Sequence, residues 1–97
     1  MPAVHLRGQL ICRDSNEAAL VVRHLPRHVA LTRAEAGCVS FRVEPSADPL
    51  VWEVEELFSD PEAFAVHQER VAGSEWGRVT AAIERRYTVE GASFGGT

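Results

Sequence analysis

"LVWEVEELFSDPEAFAVHQ", residues 50–68, changes its periodicity halfway, and that change decides the fold. From Leu50 to Phe58 the residues alternate as in a strand, with Trp52, Val54, Glu56 and Phe58 on one face and Val51, Glu53, Glu55 and Leu57 on the other. "SDPEAF" then starts a helix, with Ser59 and Glu62 spaced as a capping box and Pro61 in the first turn. Phe64, His67 and Val71 follow at helical spacing, and Gln68, Glu69 and Arg70 take the opposite side. A helix that leaves a strand so directly lays its inner stripe over the face carrying Trp52, Val54, Glu56 and Phe58. His67 is the misfit, a titratable ring where the pattern asks for an aliphatic residue.

Outward from this stretch the pattern repeats. "VHLRGQLICR" (4–13) alternates as a strand with Val4, Leu6, Gly8, Leu10 and Cys12 on its apolar side. Residues 14–37 read as a long helix capped by Asp14 or Ser15, with Ala18, Val21, Val22, Leu25 and Val29 as its apolar stripe and Gly37 as its stop. Pro26 interrupts it and predicts a kink or a division into two parts. "CVSFRVE" (38–44), with Val39, Phe41 and Val43 on one side, forms a hairpin with 50–58 across "PSADP". Gly73 ends the 61–72 helix, and Ser74 caps a short second one with Trp76, Val79, Thr80 and Ile83 on one side. "ERRYTVEG" (84–91) is a last strand, and the glycine-rich residues 91–97 are expected to be a flexible tail unless Phe94 docks on a partner.

The order strand, helix, strand, strand, helix, strand is the ferredoxin-like βαββαβ arrangement of an α+β protein: a four-stranded antiparallel sheet with helices on one face. At 97 residues the chain makes one domain, with its core over 4–90. Val51 and Leu57 place apolar groups on the sheet face that the helices leave open, and a second copy of the chain is the economical cover, so a homodimer is expected.

Composition narrows the function. A net charge of -4, with no lysine in the sequence and arginines scattered from Arg7 to Arg86, offers no footprint for nucleic acid or an anionic membrane. The N-terminal stretch lacks the apolar run of a signal peptide, which predicts a cytoplasmic protein. Cys12 and Cys38 are too far apart for a redox or zinc motif and read as reduced structural residues. Cys38 opens a strand with no base beside it and makes a poor nucleophile. His24 and His28 have a metal-ligand spacing, but Pro26 lies between them and no third ligand is implied, so they read as solvated or helix-edge residues and no metal is expected.

Two candidate groups remain. Glu56, on the face under the helices, is a carboxyl among aromatics, where desolvation raises its pKa and suits it to proton transfer. His67 lies opposite, either as a core histidine bonded to Glu56 or backbone or as a catalytic group. Trp52, Val54, Phe58, Phe64 and Trp76 supply apolar walls, and such walls around one or two polar groups describe a small-molecule pocket. Glu53 and Glu55 read as partners of arginines on neighbouring strands or on a partner chain.

"HVALTRAEAGCVSFRV" (28–43), "LVWEVEELFSDPEAFAVHQ" (50–68) and "SEWGRVTAAI" (74–83) together resemble the antibiotic biosynthesis monooxygenase family in its bacterial quinol-monooxygenase-like branch, over roughly residues 4–90. The resemblance implies a dimeric α+β barrel with a pocket between sheet and helices in each protomer. It also implies oxidation of a small quinol or related aromatic by molecular oxygen, with no metal, flavin or haem cofactor. His67 matches the family's helix histidine, and Glu56 and Phe58 its strand-end acidic-x-aromatic pattern. The chain departs from the relatives that oxidise polyketides or degrade haem. Val54 and Phe58 stand where those carry Asn and Trp, and Phe64 replaces the polyketide oxidisers' Tyr, so neither activity transfers. An isomerase using the same pocket, or a non-enzymatic ligand-binding dimer, is the alternative.

Overall fold

The computed structural model describes residues 2–92. Seven elements follow one another: β1 (Val4–Ile11), α1 (Ser15–Arg33), β2 (Cys38–Pro45), β3 (Val51–Phe58), α2 (Pro61–Ala72), α3 (Glu75–Val79) and β4 (Glu84–Glu90). The strands form one sheet in the order β2-β3-β1-β4, every neighbouring pair antiparallel, and the helices cover one face. This is the ferredoxin-like arrangement read from the element order.

Register sets what the helices meet. Phe41 pairs with Glu56 and Glu56 with Leu6, while Val43, Val54, Gly8 and Tyr87 form the next row. Val4, Leu6, Leu10, Val54 and Phe58 from the sheet join Val21, Phe64, Val71, Trp76 and Ile83 in one core. Each large apolar side chain sealed there contributes about 1.5–3 kcal/mol. Gly8 sits where strands crowd, since a Cβ on it would lie 2.0 Å from the Arg86 carbonyl oxygen.

Several local expectations are corrected. The long helix runs unbroken from Ser15 through Pro26 to Arg33. Pro26 and Val22, whose carbonyl loses its bond to residue 26, both face outward, where water can satisfy that carbonyl. The buried side of α1 is Glu17, Val21, His28 and Thr32, while Val22 is 62% exposed. The helix stops four residues before Gly37, which instead lets α2 approach: a Cβ there would lie 2.1 Å from Ala63 Cβ. Asp60, not Ser59, caps α2, its carboxylate accepting from the Ala63 N–H at 2.8 Å. Val39 does not share a face with Phe41, because a bulge between Cys38 and Ser40 inserts a residue and leaves Val39 60% exposed. Ser74 does cap α3, and Gly73 does end α2. The tail expectation for 93–97, with Phe94, lies outside the described residues.

The open sheet face is a lattice of charge. Glu55 pairs with both Arg42 and His5, Gln9 donates to Glu53 at 3.1 Å, and Arg7 reaches Glu90 at 3.4 Å. Ile11, Val51 and Leu57 lie half-buried among these pairs. No helix among the described residues is long and apolar enough to cross a membrane.

Candidate functional site

His67 and Glu56 meet in the layer between α2 and the sheet. The Asp60 cap and Pro61 fix where α2 begins, and two turns later its inner stripe delivers Phe64, His67 and Val71 onto β3. Glu56 arrives from β3 between Val54 and Phe58, so strand alternation alone aims it at the helices. His67 is 0% exposed and Glu56 1%.

The pairing of His67 differs from expectation. Its Nδ1 donates to Glu35 Oε1 at 2.7 Å, and Glu35 lies in the turn after α1. Glu56 Oε1 stands 3.6 Å from His67 Nε2, beyond hydrogen-bond length, and both atoms lack another partner among the described residues. Arg70 holds Glu35 from its other oxygen, Nε to Oε2 at 3.2 Å, and also donates to Thr32 Oγ1 at 2.9 Å. A chain of contacts therefore runs from half-exposed Arg70 on α2, which also bonds buried Thr32 of α1, through Glu35 and His67 to Glu56 in the core.

The electrostatics follow from burial. Burial, reinforced by the negative charge of Glu35 and opposed by Arg85, pushes the Glu56 carboxyl up to about 8, so it holds its proton at neutral pH. Burial lowers the His67 pKa, and the bond to Glu35 works against that shift. His28, read as solvated or edge-lying from its spacing, is instead 3% exposed, stacked on Trp76 with ring centroids 4.6 Å apart and planes 4° apart. Burial, then His67, Arg70 and Arg85, push it down to about 3. One turn earlier, His24 bonds Glu75 at 2.9 Å. No cluster of metal-ligating side chains occurs among the described residues.

Of the walls named from sequence, Val54 and Trp76 line a void of about 10 Å³ together with Glu56, His28, Phe41 and Tyr87. Phe58 packs against the His67 ring at a tilt, with centroids 4.7 Å apart, and Phe64 backs Phe58 at 5.7 Å without reaching the void. Trp52 lies half-buried at the end of the same face, its Nε1 shielded and unbonded among the described residues. The void takes one water-sized group and no aromatic ring. A cleft of about 30 Å³ opens outside it, lined by His24, Arg27, His28, Arg70, Glu75 and Trp76 among others. His28 and Trp76 belong to both, so their stacked rings form the partition. A hollow of about 450 Å³ lies on the opposite sheet face among Arg7, Arg42, Glu53 and Glu55, where Arg42 pairs with Glu55, Arg7 with Glu90, and Glu53 accepts from Gln9. Two of the shielded, unpaired polar atoms, Glu56 Oε1 and His28 Nδ1, belong to residues that line the small void, and His67 Nε2 stands 3.6 Å behind Glu56.

Sequence reading missed Glu35, His28 and Arg70. His28 carried a signal: positions 21, 25, 28 and 32 also recur at helical spacing, and choosing them would have turned α1 to its observed side. Glu35 carried none, because it lies in a turn outside any periodic element.

No family profile and no curated protein sequence matches the chain. Solved structures do. A Bacteroides thetaiotaomicron protein described as of unknown function and a possible oxidoreductase superposes with a TM-score of 0.77 at 15% identity, covering 91% of this chain and 95% of its own. A candidate antibiotic biosynthesis monooxygenase from Nitrosomonas europaea gives 0.76 at 18% identity, covering 96% and 100%. Another from Deinococcus radiodurans gives 0.72 at 19%, covering 97% and 96%. Identities this low speak for architecture and not for chemistry. With its strand order, its one-sided helical layer and these superpositions taken together, the chain has the ferredoxin-like α+β fold of the antibiotic biosynthesis monooxygenase type.

Proposed function

We propose that the chain is a cofactor-independent monooxygenase of the antibiotic biosynthesis type, oxidising a small quinol or related aromatic with molecular oxygen. The observation that carries this reading is the His67–Glu56 pair, an imidazole and a protonated carboxyl facing one another at 3.6 Å inside an aromatic shell. Deprotonating a quinol hydroxyl yields an electron-rich anion that reacts with oxygen itself, so the protein's tasks are to accept a proton, hold the anion and exclude water. His67 is the proton acceptor, directly or through Glu56, and Val54, Phe58, Phe64, Trp52 and Trp76 form the surrounding apolar shell. Because the inner void is water-sized, the ring enters from the outer cleft, and displacement of the His28–Trp76 stack joins the two spaces. The half-buried Ile11, Val51 and Leu57 on the open sheet face support a homodimer.

The test is oxygen uptake with a panel of hydroquinones. His67→Ala lowers the rate by about 100-fold or more, in the range expected for a lost general base, while circular dichroism and oligomeric state stay unchanged. Equal rates in the variant and the wild type would remove His67 from the mechanism. A second reading, a non-enzymatic binding module, draws on the tight enclosure of His67 among Phe41, Phe58 and His28. It predicts saturable quenching of Trp76 fluorescence by an aromatic ligand without oxygen uptake. Turnover that persists without oxygen points instead to an isomerase.

A further inference from the structure

The contacts around His67 run from the interior to the surface, and their polarity is set. A carboxylate only accepts, so the 2.7 Å bond to Glu35 fixes the ring proton on Nδ1 and leaves the Nε2 lone pair facing Glu56. Glu56 is sealed, whereas the Glu35 side chain keeps 15% of its surface exposed. Glu35 itself is held from outside by Arg70, which Thr32 anchors in turn. We propose that Glu56, His67 and Glu35 form a proton relay between the inner void and solvent, with Glu35 as the outlet and Arg70 and Thr32 as its positioning residues. The proposal rests on the functional reading above only for the source of the proton.

The step balances as proton transfer alone. The Glu56 carboxyl gives its proton to His67 Nε2 as the Nδ1 proton passes to Glu35, which releases it to water. The Glu56 carboxylate then takes a proton from an O–H in the void; when the resulting oxyanion is reprotonated from Glu56, Glu56 takes the Nε2 proton back and Nδ1 takes one from water through Glu35, which restores the ring. The 3.6 Å gap exceeds an ordinary N–H···O contact by about 0.6 Å, a distance that a small rotation of the Glu56 side chain closes. The charged and titratable groups around the ring are Glu35 from the turn after α1, His28 from α1, Arg70 from α2 itself, Glu56 from β3 and, through Glu56, Arg85 from β4. Among the described residues, only Glu35 both bonds the ring and reaches water.

A relay moves an observable that a purely structural bond leaves alone. A ring N–H with no exposure exchanges with solvent only when the core opens, unless a carboxylate carries its proton out. The experiment measures exchange of the His67 ring N–H by ¹⁵N-resolved NMR in the intact protein, beside the backbone amides of β3. The expected result is ring exchange at least about tenfold faster than those amides in the wild type, slowed at least tenfold in Glu35→Gln, whose amide still accepts the Nδ1–H but takes up no proton. Ring exchange at the rate of the β3 amides, or an unchanged or faster rate in Glu35→Gln, overturns the relay. If circular dichroism shows the Gln variant unfolded, Glu35→Asp, whose shorter carboxylate falls short of Nδ1, is read by the same criteria. No substrate or oxygen enters the measurement, so its failure leaves the monooxygenase reading standing, and the failure of that reading leaves the relay standing.

Discussion

Glu56→Gln should stabilise the fold progressively as pH rises above about 4.5 and do little below it. The folded state holds the Glu56 proton up to about 8, against 4.5 for a solvated glutamate side chain. Between those two pH values the native state binds a proton that the unfolded chain has released, so stability falls as pH rises through the window and is constant outside it. The sign is that of a raised pKa: full stability below about 4.5, lost on the way to about 8. From 4.5 to pH 7 is 2.5 units, and at about 1.36 kcal/mol per unit the loss is on the order of 3 kcal/mol. A domain of this size has only about 5–15 kcal/mol in total. Glutamine keeps the shape and cannot ionise, which removes the dependence. The assay is urea unfolding of both proteins at half-unit steps from pH 4.5 to 9, followed by circular dichroism. The difference between the two curves isolates Glu56, because contributions from His28 and the surface ion pairs cancel. A difference that stays flat across the window would refute the burial argument and, with it, the protonated carboxyl in the site.

Other outcomes follow from the same packing. His28→Phe keeps a flat ring against Trp76 and removes a group whose pKa burial lowers from 6.5 to about 3, so the wild type should lose more stability than the variant as pH falls through that interval. At pH 5 the expected gap is about 2 kcal/mol (1.5 units at about 1.36 kcal/mol each), and parallel acid unfolding curves would contradict it. Gly37→Ala sets a methyl 2.1 Å from Ala63 Cβ and should cost about 1–3 kcal/mol, read as a lower urea midpoint. An unchanged midpoint would show that α2 gives way at no cost.

The fold was legible because each strand's alternation was local and self-consistent, and one segment, residues 50–68, carried both periods side by side. The element order and the inner face of β3 followed from that. The rotation of α1 was not legible, since its inward side is built from Glu17, His28 and Thr32, polar residues whose burial depends on partners elsewhere in the chain. Arg13 N–H donates to Glu17 at 2.6 Å, Arg70 donates to Thr32, and Trp76 faces His28; none of these is adjacent in sequence to the residue it serves. The candidate site divided the same way. Glu56 and His67 could be placed opposite one another by counting along β3 and α2, but the acid that binds the imidazole comes from a turn, where periodicity has nothing to say. The bulge at Val39 escaped for a related reason, because one inserted residue shifts a register without altering the composition.

That bulge also bears on how the chain behaves in company. β2 is one open margin of the sheet, and an open margin invites a foreign strand to add on and continue into fibrils. Here the extra residue at Val39 throws the backbone out of step at one end of the strand, and Pro45 withholds an amide donor at the other, so fewer bonding groups remain in line for a newcomer. β4, the opposite margin, carries Glu84, Arg85, Arg86 and Glu90 along its seven residues, and charge of that density resists stacking against copies of itself. Crowded chains of this protein are thereby steered away from polymerising through the rims of their sheets.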